Sequence, residues 1–306
     1  MRRGVLAAVV AAVAVVALGC TVPSRFPDGT VPQIPPVGLN GLAEEVGSPG
    51  QLVWGADYFG HQLLRFDPDT GRIDERFGGL CSTDDLVIAP DSSLVATCPD
   101  EGSVVRIDRH GTLRVLAVIG IGVNAIALEP GGASVVVGFG NQNDDRIFRV
   151  PLDGTPVQVV ADGRPVLNGF GFGPDGLLYA PTGGALGVLG STGGLVSIDV
   201  SNGTVRQIPL RFADPSRTGL AFAAGVEVGT DGTVYMVQGV DPAVFAVDPT
   251  TGEVRLVGRS PLPWADNLAV MSDGTIVMSG FLGNGVVTFV PDGVGGWSTR
   301  IARVGG

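Results

Sequence analysis

The sequence predicts an all-β fold, a six-bladed β-propeller with four antiparallel strands per blade. Two observations carry this. First, Asn168–Tyr179 (NGFGFGPDGLLY) reads as a strand, a Pro-Asp-Gly turn and a second strand. Pro presets one turn angle and Gly supplies a positive φ at no steric cost. The unit recurs as Asp84–Val95, Asn124–Val137, Ala224–Tyr235 and Asp266–Val277, and in eroded form as Leu42–Val53. Short β runs repeating every 40 to 50 residues or so are the signature of propeller blades. Second, the third strands share one alternating pattern: Leu-Leu-Arg65-Phe-Asp, Val-Val-Arg106-Ile-Asp, Ile-Phe-Arg149-Val-Pro, Leu-Val-Ser197-Ile-Asp and Val-Phe-Ala246-Val-Asp. Alternation followed by a polar Gly turn marks a hairpin into the outermost strand.

In chain order, residues 1–20 come first. They carry a basic start (Arg2, Arg3), an apolar run from Val5 to Leu18 and the small-residue end Ala17-Leu18-Gly19-Cys20. This is a secretory leader rather than part of the fold, and its apolar run is short for a membrane span. The Gly-Cys ending resembles a bacterial lipoprotein signal, with Cys20 as the lipidated residue. Residues 21–41 are rich in Pro and read as a tether. The expected setting is the periplasmic or extracellular side of a bacterial membrane, reached by a lipid anchor. There Cys81 and Cys98 form an even pair at the same end of one hairpin, and a disulfide is expected between them.

The propeller itself is expected over residues 42–306. Blade one has strands at Gln51–Asp57, Gln62–Asp67 and Arg72–Phe77, with a weak inner strand near Glu44–Gly47. Blade two spans Asp84–Ile119, blade three Asn124–Ala161 and blade four Asn168–Leu210. Blade five spans Ala224–Val257 and blade six Asp266–Val304. Closure of such a ring leaves no long exposed edge. Closure is read in two ways: the last four strands complete blade six, or residues near Val31–Ile34 add an edge strand. Ala7–Val16 is the one stretch of helical type, and it lies in the leader.

Composition excludes some functions. All 19 basic residues are Arg, so Schiff-base chemistry and a lysine base are ruled out. A net charge of −11 disfavours phosphate backbones, so no nucleic-acid partner is expected. A monomer is expected.

Aligning the repeats puts one residue per blade at the channel mouth: Leu42 (or Glu44 after a two-residue slip), Asp84, Asn124, Asn168, Ala224 and Asp266. Acids and amides at the head of apolar strands are costly to bury without partners. Converging on one axis, they make a hard-oxygen cluster suited to Ca²⁺. The alternative is structural, because Asp and Asn also begin strands by bonding local backbone. Asp85 and Asn267 flank the ring and take its place if the register is off by one. A soft-metal site is disfavoured with only His61 and His110 present. The loops Gly138–Asp145 and Thr182–Gly194 are expected on the same face. Trp264, Phe281, Tyr58 and Phe59 can wall a pocket or simply pack between blades. Ser191 and Ser279 have no candidate His nearby, which disfavours a serine triad. The Gly-rich run has no Lys after it and is not a phosphate loop.

At Asn168-Gly-Phe-Gly-Phe-Gly-Pro-Asp-Gly-Leu-Leu-Tyr179 the chain resembles the calcium-dependent propellers of the senescence marker protein, gluconolactonase and luciferin-regenerating enzyme family. That resemblance implies Asn168 as a metal ligand, Asn124 as an active-site amide also able to reach the metal, and Glu44 or Glu45 as the blade-one ligand. The family's blade-five Asp, both ligand and base, is missing from Ala224-Gly225-Val226-Glu227. The expected function is therefore a small-molecule binding or sensing module of that ancestry. The rival is a metal-dependent lactonase or esterase, with Asp84 or Asp266 as base and Asn124, Trp264 and Phe281 on the substrate. A protein-interaction platform is the third reading.

Overall fold

The computed structural model describes residues 35–48, 50–140, 144–163, 168–182 and 192–306. The leader, Cys20, Val31–Ile34 and most of the Thr182–Gly194 loop lie outside the described residues. Within them there is no helix.

Six antiparallel sheets of consecutive strands form the blades. Blade one is Leu39–Glu44, Val53–Asp57, Gln62–Phe66 and Ile73–Gly78. Blade two is Leu86–Ile88, Leu94–Cys98, Ser103–Ile107 and Leu113–Val118. Blade three is Val123–Leu128, Ser134–Phe139, Ile147–Pro151 and Gln158–Ala161. Blade four is Gly171–Phe172, Leu178–Thr182, Thr192–Asp199 and Thr204–Ile208. Blade five is Ala223–Val228, Val234–Gln238, Ala243–Val247 and Glu253–Arg259. Blade six is Ala265–Val270, Ile276–Gly280, Gly285–Pro291 and Trp297–Arg303.

The connection from blade four to blade five does more than the repeat predicts. Arg211–Phe212 pairs in parallel with Glu253 and Val254 on the outer strand of blade five. Leu220–Ala221 then pairs with Thr192 and Gly193 of blade four. Arg217 holds this connection down, with its guanidinium 4.8 Å from the centre of the Phe212 ring and 4.5 Å from that of Phe245.

Alternation along the strands puts apolar side chains on both faces of each sheet, and adjacent blades pack face to face. An apolar cluster fills each junction. Fully buried side chains such as Phe66, Leu64, Ile147 and Phe289 each contribute about 1.5–3 kcal/mol by leaving water. The recurring third-strand Arg has a common task. Arg65 pairs with Glu45 at 2.6 Å, Arg106 with Asp91 at 2.5 Å and Arg149 with Glu129 at 2.7 Å. Each ties the third strand to the first hairpin of its own blade.

The inner strand of blade one begins at Leu39, not near Glu44, so the first three residues of the propeller belong to what the Pro-rich composition marks as tether. Asp57 fixes that start by accepting from the Val37 and Gly38 backbones at 3.1 and 3.0 Å. The four strands from Ala265 to Arg303 complete blade six by themselves. Blades six and one then meet through Leu39, Leu42 and Phe66 against Met271, Val286 and Val304. The Gly305 N–H donates to Gly71 O at 2.8 Å, and Arg300 pairs with Asp69 at 2.6 Å. Gly71, at φ 74°, leaves no room for a side chain, because a Cβ there would sit 2.0 Å from Arg303 O.

Cys81 and Cys98 are disulfide-bonded, with Cα atoms 5.7 Å apart, as the hairpin geometry predicts. The bond spans 17 positions and anchors the segment that leads into Asp84 and Asp85. On the chain-entropy account a loop of that size is worth about 3 kcal/mol. The Cys81→Ser/Cys98→Ser variant is therefore expected to lose about that much stability in urea titration; an unchanged midpoint would show the bond to be idle.

Candidate functional site

In four of the six blades the inner strand begins with an irregular step. Register shifts occur between Leu39 and Leu42, Val137 and Phe139, Ala223 and Val226, and Ala265 and Leu268. A bulge of this kind re-aims side chains. It holds Asn40, Asn124, Ala224 and Asp266 at equivalent positions, and Asp84 and Asn168 join them through hydrogen bonds to Asn40 and Asp266. Five of the six agree with the sequence alignment. Blade one is the correction: Asn40, not Leu42 or Glu44, stands at the ring.

Glu44 is four residues further along, on the outside of the junction with blade six. Its carboxylate accepts from Ser272 N at 2.8 Å and Ser272 Oγ at 2.7 Å, so it is not brought to the mouth. The Asn40-Gly41-Leu42 triplet repeats Asn168-Gly169-Phe170, and that signal could have located the ring residue.

The ring residues meet one another across blades. Asn40 Nδ2 donates to Asp84 Oδ1. Asn168 Nδ2 donates to Asp266 Oδ1 at 3.2 Å, reaching past blade five, where Ala224 leaves space. Asn40 is 1 % exposed, and its Oδ1 has no hydrogen-bond partner; neither does the buried Oδ1 of Asn124. Asn124 and Asn168 keep partial exposure, so the ring opens to solvent on the side of blades three and four.

One step deeper, blades two and six are joined across the axis. Asn267 Nδ2 donates to Asp85 Oδ1 at 3.0 Å, and Asp85 also accepts from Leu86 N at 2.9 Å and Ile126 N at 3.3 Å. Blade one contributes Gly41, where a Cβ would lie 2.4 Å from Asp85 Oδ1; blade five contributes Gly225, where a Cβ would lie 2.6 Å from Asn267 Oδ1. Glycine at these positions is what lets the bridge form. Ser279, fully buried, exchanges hydrogen bonds with the Asn267 backbone at 3.2 Å and is structural. Glu227, two residues beyond Gly225, lies against Gly171 of blade four, within reach of the Asp85 charge. It is the residue the sequence reading missed as part of the axis.

Burial acts on all four acids. It pushes Asp85 up to about 7 against the lowering effect of its backbone donors. It pushes Glu227 up to about 8, assisted by the Asp85 charge, and Asp266 up to about 6 against the Asn168 hydrogen bond. Asp84 is held well above the carboxylate range by burial and by the Asp266, Asp85 and Asp100 charges. None of the described ion pairs involves these four carboxylates. The mouth is thus an oxygen-rich site short of positive charge.

Aromatic side chains stand on the rim. Trp264 precedes and Phe281 follows the paired residues Ala265 and Gly280. Phe281 packs on Phe59 at 5.4 Å, Phe59 on Tyr58 at 5.1 Å, and Trp264 on Phe222 at 5.5 Å. Phe222 holds φ at 57°, a conformation rare for a bulky residue. The Tyr58 hydroxyl donates to Asp100 Oδ1 at 2.9 Å. Trp264 and Phe281 therefore flank the Ala265–Gly280 pair at the head of blade six and pack against aromatic side chains outside that blade.

Two other polar features are occupied by local bonding. A cleft of about 450 Å³ between blades four and five, lined by Pro174, Asp175, Tyr179, Asp231, Asp248 and Arg255, lies at the Pro-Asp-Gly turns. Its acids bond their own turns. Cys81, Cys98 and Glu101 are close enough to hold a metal, but both sulfurs are in the disulfide.

No protein-family model matches the chain, and no curated protein matches it. The fold itself is shared with solved β-propeller structures. A streptogramin B lyase structure aligns with TM-score 0.64 and 18% identity, covering 88% of this chain and 84% of its own. A gluconolactonase from Xanthomonas campestris aligns at 0.63 and 17%, covering 80% and 84%. A luciferin-regenerating enzyme aligns at 0.59 and 11%, covering 89% and 93%. At these identities the likeness is one of fold.

The raised acids fix a pH dependence. A carboxyl whose folded pKa exceeds its unfolded value binds protons more tightly when folded. Its contribution is present below about pH 4 and is lost as pH rises through about 6 to 8. Without added cations, the melting temperature is expected to fall between pH 5 and 8.5. Glu227→Gln should raise it by a few degrees at pH 8.5 and leave it nearly unchanged at pH 5. An equal effect at both pH values would mean that Glu227 ionises freely.

Proposed function

We propose that the chain is an exported binding or sensing propeller whose acid–amide mouth holds a cation and, with it, a small molecule. The observation that supports this best is the buried, unpartnered amide oxygen of Asn40 beside Asp84, a carboxylate with no arginine partner, together with a second orphaned amide oxygen on Asn124 of blade three. Unsatisfied buried acceptors cost free energy unless a ligand satisfies them. An all-oxygen set of two acids and three amides fits a hard ion such as Ca²⁺. Among the described residues no three His, Cys, Asp or Glu groups at the mouth lie within 4.8 Å of one another. An ion there would therefore take amide oxygens: Asn40 and Asn124 with Asp84 and Asp266, and Asn168 orienting Asp266.

The reading as binder rather than enzyme rests on blade five. Ala224 stands at its ring position, and its nearest acid, Glu227, is at a deeper level, against Gly171. In the alternative, a lactonase or esterase, a bound ion would polarise the substrate carbonyl. Asp84 or Asp266 would then serve as base, for which a raised pKa is suited. The leader and Cys20 support export and a lipid anchor, and the Cys81–Cys98 bond suits an oxidising compartment.

Saturating Ca²⁺ is expected to raise the melting temperature at pH 7.5 by about 5 °C, the effect of a ligand near a hundred times its Kd on a domain of this size. Asp84→Asn and Asp266→Asn should abolish the shift. No shift with Ca²⁺ or Mg²⁺ would remove the metal ion from the reading. Turnover of a lactone panel that vanishes in Asn168→Ala would replace the binder with the enzyme.

A further inference from the structure

The polar atoms at the mouth say what kind of small molecule it takes; this rests on the reading of the mouth as a cation site. The amide N–H groups of Asn40 and Asn168 are already engaged with Asp84 and Asp266. Among the buried side-chain atoms, those left unengaged are acceptors, Asn40 Oδ1 and Asn124 Oδ1. A guest must therefore bring donors, and charge balance asks that they be positive. A carboxylate guest would meet like charge there, since no basic side chain acts on Asp84, Asp85, Glu227 or Asp266.

The rim adds a second constraint. Trp264 and Phe281 flank Asp266 through the Ala265–Gly280 pair, and Phe281 continues into Phe59 and Tyr58. A bare ion has no use for aromatic faces. An organic cation does, because the ring quadrupole attracts it and the ring surface covers its carbon skeleton.

We propose that the mouth binds a primary ammonium group on a small hydrocarbon skeleton. The ammonium donates its three N–H groups to Asp84, Asp266 and the free oxygen of Asn40, and the skeleton rests on Trp264 and Phe281. Ca²⁺ and the ammonium would use the same oxygens and compete.

Calorimetric titration of the full chain at pH 7.5 with 2-phenylethylamine, its uncharged counterpart 2-phenylethanol and CaCl₂ tests this. The amine is expected to bind with Kd below about 1 mM, at least tenfold more tightly than the alcohol, and to be displaced by Ca²⁺. Asp84→Asn and Asp266→Asn should each weaken it at least tenfold. Phe281→Leu, which keeps the rim apolar and guards against variants that fail to fold, should weaken the amine severalfold and leave Ca²⁺ unchanged. Ca²⁺ binding without amine binding, or equal binding of amine and alcohol, would overturn the ammonium assignment and leave the cation site standing. If neither cation binds, both readings fall.

Discussion

The organising constraint of the molecule is like charge in a space that water hardly enters. Asp84, Asp85, Asp266 and Glu227 come from three separate stretches of chain and are carried to one axis by blades two, five and six. Burial raises the cost of ionising each of them, and their proximity raises it further. The amides of Asn40, Asn168 and Asn267 soften that cost by donating to three of the acids. They cannot cancel it, since an amide brings no net charge.

The rest of the fold supplies the rigidity such a cluster needs. Apolar packing at every blade junction sets the ring, and the disulfide holds the non-strand segment bearing Asp84 and Asp85 against its hairpin. The arginines on the third strands act far from the axis, fastening each blade to its own first hairpin. Charge pairing is thus spent on the outside of the ring, and the axis is left without it.

Much of this was legible in the sequence because a repeat reports its own geometry. The Pro-Asp-Gly turns gave the blade count, and five ring positions followed from aligning them. Blade one was misread for a physical reason: its inner strand begins directly after Pro35 and Pro36, in a stretch whose composition reads as tether. Glu227 was passed over because strand alternation alone does not reveal that glycine at 171 opens a space for its carboxylate. The bridge between Asp85 and Asn267 was out of reach for a similar reason. It joins residues 182 positions apart, and it needs the missing side chain of Gly41 as much as the two that touch.

That bridge also acts as a cross-brace. Blades two and six are not neighbours in the ring, and with Asp85 and Asn267 joined they cannot draw apart without breaking a buried hydrogen bond.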